Sequence, residues 1–197
     1  AFKSGNNSNK KVFLGLSLKE TTMKKVLSGV FITLFSLFAF NSVLKAQLAQ
    51  GEVAPNFTII DENGDVHTLY DYLDQGYTVL MNMSATWCGP CWSFHQSGAL
   101  DNLWEDHGPA GFPGVSENTT DDMMVFWFEA DPSTGTSDLY GNTPSTQGDW
   151  VADHQFIISD LEGSTIQSDY SLPAFPTAWM ICPNRIIQQT YLGYSSS

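Results

Sequence analysis

The chain has 197 residues, and its 21 acidic residues outnumber the eight lysines and arginines to give a formal net charge of −13 at pH 7. Seven of the eight basic residues precede Gln47, so the part that follows carries one arginine, 20 acidic residues and a net charge of −19. A surface this acidic repels nucleic acids and anionic membranes, which excludes both as partners.

The start of the chain divides into two segments of different composition. Residues 1–22 precede Met23 and are predicted to be an upstream extension to which no fold is assigned. Residues 23–46 combine a basic start, an apolar stretch and a small residue, Ala46, which is the pattern of a secretory signal peptide. We therefore expect an exported protein, located in the periplasm, on the cell surface or outside the cell.

The length of the apolar stretch 26–40 distinguishes a cleaved signal peptide from a transmembrane anchor. It is shorter than the roughly 20 residues that a transmembrane helix needs, which favours a cleaved signal peptide over an uncleaved anchor. We expect no stable membrane insertion once the signal peptide is removed. The remaining residues, 50–197, have the size of one domain with one hydrophobic core.

Strand and helix patterns alternate along residues 50–197. Apolar or alternating runs predict strands at 57–60, 66–68, 78–83, 123–128, 177–181 and 186–192. A short helix is predicted at 69–73 and a long one at 92–107. The segment 131–148 is rich in Ser, Thr, Gly, Asp and Asn and is predicted to be a loop with short helical pieces. Strands that alternate with helices predict an α/β fold with a mixed sheet.

The most informative motif is Trp87-Cys88-Gly89-Pro90-Cys91, which lies between the predicted strand 78–83 and the long predicted helix. Two cysteines separated by two residues can close a small disulfide ring, and Gly-Pro favours a tight turn between them. A thiolate at a helix N-terminus is stabilised by the local positive potential and by unpaired N–H groups. This position lowers the pKa of Cys88 and favours it as the attacking group.

These five residues match the thioredoxin active site, and from about residue 54 to its end the chain resembles the thioredoxin superfamily. Ala54-Pro55-Asn56-Phe57 resembles the opening of the redoxin branch, and Phe175-Pro176-Thr177 resembles the cis-proline strand opposite the dithiol. The resemblance implies a thioredoxin-like mixed sheet with helices on both faces. Thioredoxin domains close with a C-terminal helix that has no counterpart here, so the domain 50–197 is expected to be truncated at its C-terminus.

The resemblance also implies roles for individual residues. Cys88 is expected to attack a partner disulfide, and Cys91 to resolve the mixed disulfide. The residues expected to tune the active site are Trp87, Gly89, Pro90 and Asn82. Those expected to bind the substrate are Phe175, Pro176 and Thr177.

The function implied is that of an exported thiol–disulfide oxidoreductase with no metal and no cofactor other than its own redox-active disulfide. Its expected partners are protein or small-molecule disulfides and dithiols, together with a membrane reductant.

Asn82 marks a departure from cytosolic thioredoxin, in which an aspartate occupies this place beneath the dithiol and a buried lysine lies beside it. An amide cannot accept the proton of Cys91, so the general base is missing from its usual position. In the redoxin branch a glutamate elsewhere can assist. The sequence leaves three candidates open: Glu105, Glu117 and Glu129.

The cysteine pair has three other interpretations besides a redox-active dithiol: a structural zinc site, a thiol peroxidase site and a structural disulfide. A structural zinc site needs four Cys or His ligands, and Cys182 with the four histidines forms no matching pattern. A thiol peroxidase is disfavoured because its Pro-x-x-x-Thr-x-x-Cys pattern is absent. The main alternative is a non-catalytic secreted module, for adhesion or display, with a structural disulfide. Cys182 is predicted to be a buried or half-buried free thiol, with an intermolecular disulfide as the alternative. His95 is predicted to lie on the surface.

Overall fold

The computed structural model describes residues 48–192, and the side chains of residues 48–188. The predicted extension at 1–22 and the predicted signal peptide at 23–46 lie outside this range, so both stay predictions. No helix within the range is both long and apolar enough to cross a membrane.

The described strands form two sheets. Strands β1 (Thr58–Ile60) and β2 (Val66–Thr68) pair as an antiparallel hairpin. The larger sheet has the order β5-β4-β3-β6-β7, and its strands are β3 (Thr78–Ser84), β4 (Met123–Glu129), β5 (Ile157–Asp160), β6 (Thr177–Ile181) and β7 (Ile187–Leu192). Strands β3, β4 and β5 run parallel, whereas β6 and β7 pair antiparallel, so the predicted mixed sheet is confirmed.

Five helices lie in the described range: α1 (Leu69–Asp74), α2 (Gly89–His95), α3 (Ala99–His107), α4 (Thr136–Leu139) and α5 (Ile166–Asp169). Helix α1 and the short helix α4 within the segment 131–148 were predicted. The single long helix predicted at 92–107 is wrong, because α2 and α3 are separate. Gly98 lies between them with φ at 74°, in the left-handed region that glycine adopts without steric cost.

Strand β5 and helix α5 were missed by the sequence analysis. Each has four residues, which is too short to display a full period of either a strand or a helix pattern.

The two central strands are buried along almost their whole length. Met81 on β3 and Phe126 and Trp127 on β4 are fully buried. Strands covered on both faces read as continuous apolar runs, and each large side chain buried there stabilises the fold by about 1.5–3 kcal/mol. Ser84 pairs with Glu129 at the carboxyl ends of β3 and β4. The segments that follow these two parallel strands therefore meet at one edge of the sheet.

Candidate active site

Helix α2 begins directly after the first cysteine of the motif. Cys88 is the N-cap, and its Sγ accepts a hydrogen bond from the backbone N–H of Cys91 at 3.2 Å. Pro90 lies in the first helical turn, where a missing N–H costs no helical hydrogen bond. Cys88 and Cys91 form a disulfide across this turn, with Cα atoms 5.2 Å apart.

The two sulfur-bearing residues differ in access to solvent. Cys88 is 5% exposed, whereas Cys91 is fully buried. Gly89 is half-buried and Pro90 is exposed beside them. A partner molecule can therefore reach Cys88 but not Cys91, an arrangement that suits an attacking first cysteine and a resolving second one.

An exposed aromatic ring lies next to the disulfide. Trp87 is 46% exposed, and its ring meets that of Phe175 edge to face, with centroids 6.0 Å apart. The peptide bond between Phe175 and Pro176 is cis, as the resemblance implied. The two rings, here called the Trp87–Phe175 shoulder, form an apolar surface beside the dithiol.

Thr177 begins strand β6 and is buried. Its hydroxyl donates to the Ala174 carbonyl at 2.8 Å, so the side chain holds the loop before Pro176 in place. Thr177 also pairs with Met83 on β3, which brings this loop close to the chain that leads into the dithiol.

The strands beneath the dithiol carry no ionisable side chain at the expected position. Asn82 is buried, and its Oδ1 accepts a hydrogen bond from the Ser84 hydroxyl at 2.6 Å. Trp127 is its neighbour in register on β4. An amide and an indole therefore lie side by side, and neither can act as the general base for Cys91.

The three candidate glutamates lie in different surroundings. Glu105 on α3 and Glu117 in the following loop are exposed, whereas Glu129 at the end of β4 is fully buried. The Glu129 carboxylate accepts hydrogen bonds from the backbone N–H of Thr86 at 2.5 Å and from that of Asp131 at 2.8 Å. Burial raises the pKa of Glu129 against the lowering effect of these hydrogen bonds.

Asp131 connects this carboxylate to the aromatic shoulder. Its Oδ2 accepts a hydrogen bond from the indole Nε1–H of Trp87 at 2.7 Å. Burial raises the pKa of Asp131, but hydrogen bonds from Ser133 and Trp87 outweigh it, and the pKa stays below its usual value. Asp131 was not among the predicted site residues; its position just after β4, next to the strand that leads into the dithiol, is the signal that could have found it.

His95 is the clearest correction to the sequence analysis, which placed it on the surface. It is fully buried at the end of α2, and neither ring nitrogen has a hydrogen-bond partner within residues 48–192. Burial, followed by the neighbouring His154, lowers the pKa of His95 to about 3, so the ring is neutral at pH 7. The rings packed around it, here called the aromatic cage, are Trp92, Trp127, Trp150, His154 and Phe156.

The remaining chemical groups add little to the site. Cys182 is free and half-buried, as predicted. No group of three or more His, Cys, Asp or Glu side chains in the described part of the chain could hold a metal ion.

Known proteins resemble this chain in sequence and in structure, although no protein-family model matches it. The thioredoxin-like protein YneN of Bacillus subtilis is 25% identical over 178 residues, which cover 87% of this chain and 91% of YneN. The thiol–disulfide oxidoreductase ResA of Geobacillus kaustophilus is 32% identical over 76 residues, 39% of this chain and 41% of ResA. The thioredoxin domain of a thiol–disulfide oxidoreductase from Bacteroides vulgatus superposes with a TM-score of 0.53 at 20% identity, over 75% of this chain and 91% of that domain.

A mixed sheet with a cysteine pair at the start of a helix and a cis-proline before an antiparallel strand is a thioredoxin-like fold. The curated relatives that the chain matches carry the names of a thioredoxin-like protein and of thiol–disulfide oxidoreductases. The chain thus has a thioredoxin-like fold, and its sequence is similar to thioredoxin-like proteins and thiol–disulfide oxidoreductases.

Proposed function

We propose that this protein is an exported thiol–disulfide oxidoreductase in which Cys88 attacks a partner disulfide and Cys91 resolves the mixed disulfide. The unequal burial of the two cysteines at the start of α2 carries the proposal, because a partner can reach Cys88 alone. The similarity to ResA supports the same class of reaction.

In the reducing direction, the exchange takes two steps. The Cys88 thiolate attacks one sulfur of the partner disulfide, forms a mixed disulfide and expels the other sulfur as a thiolate. Cys91 then loses its proton and attacks the Cys88 sulfur. The Cys88–Cys91 disulfide forms, and the second sulfur of the partner leaves as a thiolate. The partner gains two electrons and takes up two protons, and an external dithiol must reduce the protein before the next turnover.

The partner is proposed to dock on the Trp87–Phe175 shoulder. An extended segment of the partner would pair with the exposed backbone next to Pro176, while its apolar side chains cover the two rings. The Thr177 hydroxyl is already bonded to Ala174, so Thr177 would contribute through its backbone.

Insulin reduction with dithiothreitol as the electron donor tests the catalytic part of the proposal. The wild type should accelerate the reaction, Cys88→Ser should abolish the acceleration, and Cys91→Ser should accumulate a mixed disulfide on Cys88. Cys182→Ser is the matched control and should retain full activity, since Cys182 is outside the dithiol. A wild type no faster than the uncatalysed reaction would identify the disulfide as structural, as in a module for adhesion or display.

Export is the second part of the proposal. It rests on the signal-peptide pattern at 23–46 and on the strongly acidic composition of the residues that follow. Mass spectrometry of the protein recovered from the medium and from the cell envelope should find a chain that begins near residue 47. An intact segment 26–40 in the membrane fraction would show an uncleaved anchor instead.

A further inference from the structure

We propose that Glu129 is a positioning residue for the dithiol: its buried carboxylate holds the segment Thr86–Trp87 and thereby sets how readily Cys88 attacks. This inference rests on the proposed exchange reaction, but it concerns a residue outside the motif.

The two oxygens of Glu129 serve different parts of the site. Oε2 accepts the backbone N–H of Thr86, and Oε1 accepts the backbone N–H of Asp131. A carboxylate has no donor of its own, so it can satisfy two N–H groups at once. Glu129 thus ties the segment that follows β3 to the segment that follows β4.

A second residue holds the same segment from the opposite side. The backbone N–H of Gln147 donates to the Thr86 carbonyl at 2.9 Å, and its side-chain Nε2–H donates to the Trp87 carbonyl at 2.9 Å. Both the N–H and the C=O of Thr86 are therefore engaged. With hydrogen bonds on both sides, the segment has one defined position and little freedom to shift.

The held segment determines where the Cys88 sulfur lies. Thr86 precedes Cys88 by two residues, and the Cys88 N–H donates to the Ala85 carbonyl at 2.9 Å within the same turn. The Cys88 Sγ lies 3.2 Å from the Cys91 N–H, a contact that stabilises a thiolate. A shift at Thr86 moves the Cys88 sulfur away from this N–H group. The Cys88 thiolate is then less stabilised, and Cys88 attacks less readily.

The charge state of Glu129 matters because of its surroundings. Two acidic residues adjoin Glu129: Asp131, two residues further along the chain, and Asp160, its partner in register on β5. Arg185 is the only lysine or arginine in residues 48–188, and it pairs with Asp74. Protonation turns one Glu129 oxygen into a donor, which faces an N–H that also donates. The segment should therefore loosen when Glu129 takes up a proton.

The test measures the second-order rate of Cys88 alkylation by iodoacetamide in the reduced protein, as a function of pH. Because alkylation needs no partner, it reports on the position of Cys88 even if the proposed exchange reaction fails in the insulin assay. Glu129→Gln keeps the shape of the side chain but replaces one acceptor oxygen with an NH₂ group. That NH₂ group faces a backbone N–H, so two donors meet and one hydrogen bond is lost. We expect the rate at pH 7 to fall by about threefold to tenfold, and the half-maximal pH to move upward.

Two comparisons separate positioning from general loss of stability. Leu73→Ala removes a buried side chain of α1, outside the two segments that Glu129 ties together, and should destabilise the fold without changing the alkylation profile. Glu105→Gln removes an exposed carboxylate and should leave both properties unchanged.

Measurements on the unaltered protein cover the case in which Glu129→Gln does not fold. The carboxyl signal of Glu129 and the amide signal of Thr86 should titrate together by NMR, and the alkylation rate should fall at pH values where Glu129 is protonated, after correction for the thiolate fraction. Either a folded Glu129→Gln variant with the wild-type alkylation profile, or a Thr86 amide that does not follow Glu129, overturns the proposal.

Discussion

A buried titratable side chain lies near each end of helix α2, Glu129 of β4 before its start and His95 at its own C-terminus, and the two are held in opposite ways. At the N-terminal end, the buried Glu129 carboxylate receives two backbone hydrogen bonds and holds the chain before Cys88. At the C-terminal end, His95 lies in the aromatic cage with no hydrogen-bond partner within residues 48–192. Hydrogen bonds are directional and fix the position of the chain, whereas apolar packing mainly contributes stability. The N-terminal end of α2, which carries Cys88, is therefore the end that is held by polar contacts.

The same difference gives the two groups opposite effects on stability as pH changes. Burial raises the pKa of Glu129, so the folded chain binds its proton more tightly and this contribution to stability is lost as pH rises. Burial lowers the pKa of His95 to about 3, so its contribution is present above pH 6.5 and is lost as pH falls. The two ends can therefore be distinguished by measuring the free energy of unfolding at several pH values.

The largest effect is expected from truncating the aromatic cage. Trp150 is fully buried, and its ring lies 4.9 Å from those of both His95 and Trp127, centroid to centroid. Trp150→Ala should lower the free energy of unfolding by about 3–5 kcal/mol, measured by urea denaturation. Trp150→Phe keeps a ring and should cost less. If Trp150→Ala instead slowed Cys88 alkylation at unchanged stability, the division of roles between the two ends would be wrong.

The next effect concerns the acid stability of the wild type. Between pH 6.5 and pH 4, an unfolded chain binds a proton at His95 that the folded chain does not bind. This difference should remove about 3 kcal/mol of stability over that interval. His95→Phe fills the cage with an apolar ring and should flatten the fall, as shown by urea denaturation at each pH.

A carboxyl group introduced beneath the dithiol should change the resolving step. Asn82→Asp places an ionisable group in a buried site, where desolvation raises its pKa and lets it accept the Cys91 proton near neutral pH. Resolution of the mixed disulfide should accelerate by at most about 10²-fold, with a smaller change in the first attack. Stopped-flow Trp87 fluorescence during reduction of a model disulfide measures both steps. An unchanged lifetime of the mixed disulfide in a folded variant would show that proton transfer from Cys91 is not limited at this position.

The smallest effect is expected from the bond between the shoulder and Asp131. Trp87→Phe keeps an aromatic ring next to Phe175 but loses the indole donor to Asp131. We expect the free energy of unfolding to fall by about 1 kcal/mol, which is the net contribution of one hydrogen bond. The alkylation rate of Cys88 should change by about twofold to threefold at most. Asp131→Asn keeps one acceptor oxygen and should have the milder effect of the two. An alkylation rate as low as that of Glu129→Gln would place the main positioning contact at Asp131 instead.

Sequence patterns sufficed where the signal is local. The apolar run at 123–128 predicted a strand, and the structure has β4 at Met123–Glu129. The motif around Cys88 predicted a dithiol at a helix start, where the structure places the Cys88–Cys91 disulfide. These features depend on neighbours a few residues away, so composition and spacing reveal them.

Contacts between distant segments were beyond such patterns. The residue spacing of α2 made His95 look exposed, because the aromatic rings that enclose it come mostly from β4 and from residues 150–156. Glu129 could not be separated from Glu105 and Glu117, since the distinction is burial beside Thr86, 43 residues away along the chain. Local chemistry was thus determined by the sequence itself, whereas the environment of each titratable group, and hence its charge and its role, was decided only when the parallel strands brought their carboxyl ends together.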